Sequence, residues 1–293
     1  MSAGLRAKLR AYADLVALSH TVFALPFAAT AVVLALRAPH LPLTPARLGA
    51  MLVCLVSART AAMAWNRYAD RDVDAANPRT RERPIQTGRV RPRDALALTV
   101  AASLAFVLSA STLGRAPLVL ALPVLAVLLG YSLAKRFTWA AHAWLGLALA
   151  LAPGGAWIAV GAAPGAGIVA LMGAVLTWLF GFDVLYSLQD EGFDRERGLH
   201  SVPVRFGARG ALRLSAAAHV ATVALLAAAG AALHRGPAYF AGAVLFGAVL
   251  VIEHRLVRGG DLRRIDKAFF DCNALVSLGF FGTTVLDAWL LPR

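Results

Sequence analysis

Asn66, Asp70 and Asp74 follow one another at intervals of four in WNRYADRDVDAANPRTRERPIQTGRV (65–90), and Asp190 and Asp194 repeat the interval in FDVLYSLQDEGFDRERG (182–198). On a helix each such step turns by roughly 40°, so these oxygen-bearing side chains share one face, with Asp72 pointing away. Asp183 and Tyr186, seven and four residues before Asp190, fall on the face of the second set. Four carboxylates converging without counterions would repel one another strongly at low local dielectric, which implies a bound divalent metal. An all-oxygen donor set favours Mg²⁺, which binds through carboxylates, water and phosphate oxygens; the expected ligands are Asn66, Asp70, Asp74, Asp190 and Asp194. Each motif leads into an arginine-rich loop, and Mg²⁺ beside arginines suits a diphosphate ester. The metal would stabilise a departing diphosphate and leave an allylic carbon as a cation, so that no protein nucleophile is required. In keeping with that, the sequence has no Ser-His-Asp or Cys-His arrangement, P-loop or dinucleotide fingerprint.

Those motifs must be held by elements that live in lipid. Of 293 residues 59% are hydrophobic and 15% charged, with mean hydropathy +0.67, a balance that excludes an ordinary soluble domain and indicates a multi-pass membrane protein. The expected fold is all-α, a single domain over 1–293 with nine spans at roughly 14–36, 46–68, 94–113, 117–134, 140–160, 167–188, 210–232, 237–256 and 269–290, each about long enough for a ~30 Å hydrocarbon core. The net charge of +13 does not indicate nucleic acid, because no soluble segment exists to carry a basic face. With a cytoplasmic N-terminus, only Arg37, Arg47, Arg115, Arg235 and Arg293 of the 29 Lys and Arg fall outside, and Arg59 lies within a span. That asymmetry puts both acidic motifs on the cytoplasmic side of the lipid bilayer. The first apolar stretch is long and contains Asp14, His20 and Pro26, which argues against a cleaved leader. The second and sixth spans each end in an acidic motif followed by arginines, a weak internal repeat of two related halves. Cys54 and Cys272 lie in apolar runs and read as buried thiols.

Taken together, N-x-x-x-D-x-x-x-D at Asn66, Asp70 and Asp74 and D-x-x-Y-x-x-x-D-x-x-x-D at Asp183, Tyr186, Asp190 and Asp194 resemble the UbiA superfamily of membrane prenyltransferases. The loop NPRTRERP, the segment YSLAKRFT and the stretch LHSVPVRFG extend the resemblance over nearly the whole chain. It implies a helical bundle around a central cavity, Mg²⁺ dependence and transfer of a prenyl chain from an allylic polyprenyl diphosphate. HTVFALPFA, ARTAAMAWNR and YSLQDEGFD look most like the branch that prenylates an aromatic acid, 4-hydroxybenzoate or 1,4-dihydroxy-6-naphthoate, in ubiquinone or menaquinone biosynthesis. Gln86 departs from the small residue or proline expected in RPIQTGR. The branch also implies a bacterial cytoplasmic membrane, and no protein partner is evident.

Other residues divide between functional and structural readings. Arg59, nearly in line with Asn66 and two turns deeper, either holds the acceptor's carboxylate or the diphosphate, or pairs with a neighbouring aspartate, since a charge within a span needs an internal partner. Arg67 and Arg71 flank Asp70 and suit the diphosphate, whereas the other loop arginines read as topology determinants. The resemblance assigns Lys135 and Tyr131 to the diphosphate as well; otherwise Lys135 is an interfacial anchor. His20 is either a satisfied buried histidine or an acceptor contact, and Asp183 either orients or deprotonates a phenol or pairs with Arg59. The six tryptophans read as interface anchors. Two rival functions are prenyl transfer to another acceptor (dihydroxynaphthoate, chlorophyllide, haem or glycerol phosphate) and cation-coupled transport through the carboxylates.

Overall fold

Pro45, Pro92, Pro203 and Pro237 each stand in the first turn of a long helix, where the missing N–H has no helical acceptor to lose. Thr44 and Ser201 cap two of these helices by accepting from the amides of Arg47 and Val204 at 3.2 and 3.4 Å. The structure, a computed structural model, describes residues 3–17, 21–257 and 271–290, and among them it contains helices and no strand. In chain order these are α1 (Ala3–Leu15), α2 (Thr21–Ala35), α3 (Pro45–Ala69), α4 (Arg71–Ala76), α5 (Pro92–Leu113), α6 (Arg115–Ala134), α7 (Ala141–Ala159), α8 (Ala166–Ser187), α9 (Glu191–Glu196), α10 (Val202–Ala232), α11 (Pro237–Leu256) and α12 (Asn273–Leu290).

Eight of the expected spans are helices long and apolar enough to cross a membrane, and the chain is a multi-pass membrane protein. The first expected span differs. Residues 14–15 close the separate helix α1, whose Arg6, Lys8 and Arg10 are exposed, and the apolar α2 has 15 residues. Asp14 explains the division, because its carboxylate pairs with Arg89 at 2.9 Å instead of entering lipid.

The helices pack as two compact units, one made of α1 and α3 to α6 and the other of α2 and α7 to α12. In the first, α3 lies along α5, and Phe106, Ala110, Ala121 and Leu125 form a core against Cys54 and Ala58. Trp65 Nε1 donates to the Leu129 carbonyl at 2.9 Å, which ties the end of α3 to α6. Cys54 and Cys272 are half-buried, not enclosed as expected.

In the second unit Phe27, Trp178, Phe246 and Phe280 form an aromatic core, with the Phe27 and Trp178 rings 5.0 Å apart. Trp178 is fully buried and donates to Asn273 Oδ1 at 2.9 Å, so it is no interface anchor; Trp289, 80% exposed, fits that description. Asn273 in turn donates to Glu253 at 3.3 Å, which satisfies polar groups that lipid could not. The helices α7 and α8 approach closely at Gly146, where a Cβ would strike the Leu176 carbonyl. Gly146→Val should therefore lower the melting temperature in detergent by roughly 3–8 °C, read by thermal unfolding of the purified protein.

Candidate active site

Both acidic motifs are built the same way. The helix α3 ends at Ala69, and Asp70 takes φ −93°, ψ 5°, outside the regular helical region, before the six-residue α4 begins. The helix α8 ends at Ser187, one 3₁₀ turn covers Leu188–Asp190, Asp190 takes φ −98°, ψ −1°, and the six-residue α9 follows. Regular helix is thus interrupted at Asp70 in the first motif, while the second stays right-handed helical through its 3₁₀ turn. In the first motif the hydrogen bonds of the four-residue register survive the interruption: Asp70 N–H donates to Asn66 O at 2.9 Å and Asp74 N–H to Asp70 O at 2.7 Å. Asp74, Asp190 and Asp194 are buried, while Asp72 is exposed as the spacing required.

In the first half-site Asn66 Nδ2 donates to Asp70 Oδ2 at 2.8 Å, and Asn66 Oδ1 accepts from Arg67 Nη1 at 3.3 Å. Asn66 therefore orients Asp70 and links it to Arg67. Asp70, Asp74, Arg83 and Tyr131 all lie within electrostatic reach of Arg67. Arg83 Nη1 is 2.6 Å from Asp74 Oδ2. The sequence reading had placed Arg83 among the topology determinants, and the prolines on either side, Pro78 and Pro84, are the signal for a loop that turns back. Arg71 lies over the Tyr68 ring, 4.7 Å from its centroid, and donates to the Tyr68 carbonyl. Gln86 donates to the Arg71 carbonyl at 3.0 Å, which gives the unexpected glutamine a role in closing the loop on α4. Arg59 donates from Nη2 to the Ala17 carbonyl at 3.0 Å, not to an aspartate, and interacts electrostatically with Tyr131.

In the second half-site Lys135 Nζ is 3.1 Å from Asp194 Oδ2. The His200 amide donates to the Lys135 carbonyl at 2.7 Å and the Leu199 amide to that of Asp194 at 2.8 Å, so the loop after α9 fixes both partners. Asp183 pairs with His142, whose Nδ1 is 2.7 Å from its Oδ2, and not with Arg59 as one reading of the sequence expects. A single histidine in an apolar run 41 residues away carried no sequence signal. Tyr186 is partly buried on the same helix. His20 lies outside the described residues.

The expectation that the carboxylates lack counterions does not hold for Asp74 or Asp194, each of which has a cation of its own chain. Among the described residues, no three His, Cys, Asp or Glu side chains gather as a complete metal cage. Each motif carries two aspartates, the donor type suited to an ion that keeps its waters and takes phosphate oxygens.

The chain is thus a multi-pass helical membrane protein that carries two aspartate motifs, each with one carboxylate beside a basic residue of its own unit. A profile of the UbiA prenyltransferase family matches residues 24–278, and the chain belongs to that family. It is 34% identical over 232 residues to a 4-hydroxybenzoate octaprenyltransferase of Thiobacillus denitrificans, covering 79% of this chain and 78% of that enzyme. To the enzyme of the same name from Aromatoleum aromaticum it is 34% identical over 241 residues, covering 80% and 79%. Among solved structures, the apo form of a UbiA homolog from Aeropyrum pernix K1 superimposes with TM-score 0.82 at 34% identity, over 92% of this chain and 98% of that one. A UbiA homolog from Archaeoglobus fulgidus bound to DMAPP and Mg²⁺ shares the fold at TM-score 0.74 and 18% identity, over 96% and 99%.

Proposed function

We propose that this chain is an aromatic polyprenyltransferase that moves a polyprenyl group from its allylic diphosphate to 4-hydroxybenzoate, a step of ubiquinone biosynthesis. The observation that carries the proposal is the half-site built twice, in a chain about one-third identical to enzymes named for that reaction. Asp70 with Asp74, and Asp190 with Asp194, would each hold one Mg²⁺, with Asn66 orienting Asp70. Bound Mg²⁺ supplies Lewis-acid neutralisation of the charge that grows on the diphosphate as its C–O bond breaks. Arg67, Arg71, Arg83, Lys135 and Tyr131 grip the diphosphate, because guanidinium, ammonium and phenol groups donate to phosphate oxygens. Arg59 receives the acceptor's carboxylate. Asp183, with Tyr186 one turn along, faces the acceptor's hydroxyl and takes its proton, so that the ring carbon beside it attacks the allylic cation. The arginine distribution supports a bacterial cytoplasmic membrane with the N-terminus and both motif loops on the cytoplasmic side.

The test is product analysis by mass spectrometry with one labelled polyprenyl diphosphate and 4-hydroxybenzoate competing against 1,4-dihydroxy-6-naphthoate. Prenylated 4-hydroxybenzoate should dominate with Mg²⁺ and vanish with a chelator. Dominance of the naphthoate product would move the assignment to menaquinone biosynthesis. Substrate-dependent flux in vesicles without diphosphate release would replace it with transport.

A further inference from the structure

His142 stands in the first turn of α7 with its side chain 1% exposed, while Asp183, its partner on α8, keeps 22% of its side chain open. Their 2.7 Å contact is at the short end for a nitrogen donor and a carboxylate. An ionised carboxylate can only accept, so against it the ring donates from Nδ1 and leaves Nε2 as the bare nitrogen. Nε2 is buried and has no partner. The ring thus has one polar engagement, and that engagement is with the oxygen Asp183 turns inward. The surrounding packing is rigid: Gly146, one turn along α7, brings that helix against the α8 backbone at Leu176. A buried imidazole in an apolar helix is costly unless it serves a partner.

We infer that His142 is a positioning residue for prenyl transfer: it holds Oδ2 of Asp183 so that Oδ1 is presented to the acceptor's hydroxyl. The inference rests on the reading of Asp183 given above and adds the group that aims it. In the step concerned, the hydroxyl proton passes to Asp183 Oδ1 as the ring's π pair forms the new C–C bond to the allylic carbon. The C–O bond to the diphosphate has broken with its electron pair leaving on oxygen. The C–H proton of the resulting dienone is then lost to solvent as Asp183 returns its proton to the oxygen, which restores the hydroxyl and the aromatic ring. One proton is released for each diphosphate, and no oxidant or reductant takes part.

His142→Phe keeps ring volume without the donor, and His142→Asn places an amide N–H near the position of Nδ1–H. His142→Phe should lower kcat about tenfold while leaving KM for the polyprenyl diphosphate within about twofold, and His142→Asn should recover most of the loss. The defect relative to the parent should shrink with 3-fluoro-4-hydroxybenzoate, whose hydroxyl ionises more readily and needs its base less. A merely structural histidine would give the same defect with both acceptors and no recovery by asparagine. Full activity in His142→Phe, or either of those patterns, overturns the inference. His142→Leu serves the same comparison if the phenylalanine variant does not fold. Asp183→Asn separates the two claims: full activity there would sink the reading of Asp183 itself, whereas an impaired Asp183→Asn beside an unimpaired His142→Phe would sink only the role of His142.

Discussion

Asp70→Asn and Asp190→Asn should each reduce turnover about 1,000-fold, a loss of about 4 kcal/mol of transition-state stabilisation at roughly 1.4 kcal/mol per tenfold. Both aspartates stand where a long helix gives way to a six-residue one, with φ near −95° and ψ near zero, a conformation that asparagine adopts as readily as aspartate. Asparagine also keeps an oxygen that can accept from Asn66 Nδ2, so the first half-site need not rearrange. What disappears is a negative charge on a hard oxygen ligand. Asp74 and Asp194 give less decisive variants, because their removal strands Arg83 or Lys135 and mixes a stability loss with the catalytic one. The measurement is initial rate at saturating Mg²⁺ and prenyl diphosphate, with melting temperature in detergent as the control for folding. Raising Mg²⁺ tenfold should recover little activity, since the missing ligand cannot be replaced by mass action alone. Retained activity in both variants would refute the metal assignment.

The four-residue spacing of both aspartate motifs reflects helical geometry, which the backbone obeys up to Asp70 and, in the first motif, across it. The break itself was hidden: an interruption at Asp70 that keeps the hydrogen bonds from Asp70 N–H to Asn66 O and from Asp74 N–H to Asp70 O leaves the periodicity intact. Most spans were legible from hydropathy, but the first was not, since a fifteen-residue α2 behind a charged α1 averages to one apolar stretch. Partners across the sequence were legible only where the motif implied them. Arg83 is one arginine among many in its loop, and its distinction is the fold that returns it to Asp74. The alternative that Arg59 pairs with an aspartate does not hold: it donates to the Ala17 carbonyl, and carbonyls are the same at every position of a sequence. Trp178 read as an anchor because tryptophans favour interfaces, and its burial follows from Asn273 being able to take its N–H.

The two ion pairs carry the second large prediction. Arg83 on Asp74 and Lys135 on Asp194 place a cation of the chain itself on one carboxylate of each half-site. On the proposed function, a basic group held there would neutralise the carboxylate before substrate arrives and turn to a phosphate oxygen afterwards. Lys135 suits that exchange, because it remains 35% exposed while Asp194 is 3% exposed, and its flexible stem lets the ammonium move while the carboxylate stays. Lys135→Met should therefore raise KM for the polyprenyl diphosphate and lower kcat, for a combined loss of about 100-fold in kcat/KM, the scale expected for a charge-assisted contact to phosphate. KM for 4-hydroxybenzoate should change by less than about twofold. The pair Lys135→Met/Asp194→Asn decides what the lysine is for. If its only work is to balance Asp194, the double variant regains both stability and diphosphate affinity; if it also grips the donor, stability returns and the affinity does not. Recovery of the diphosphate KM in the double variant would remove Lys135 from the substrate site and leave it as a structural counterion.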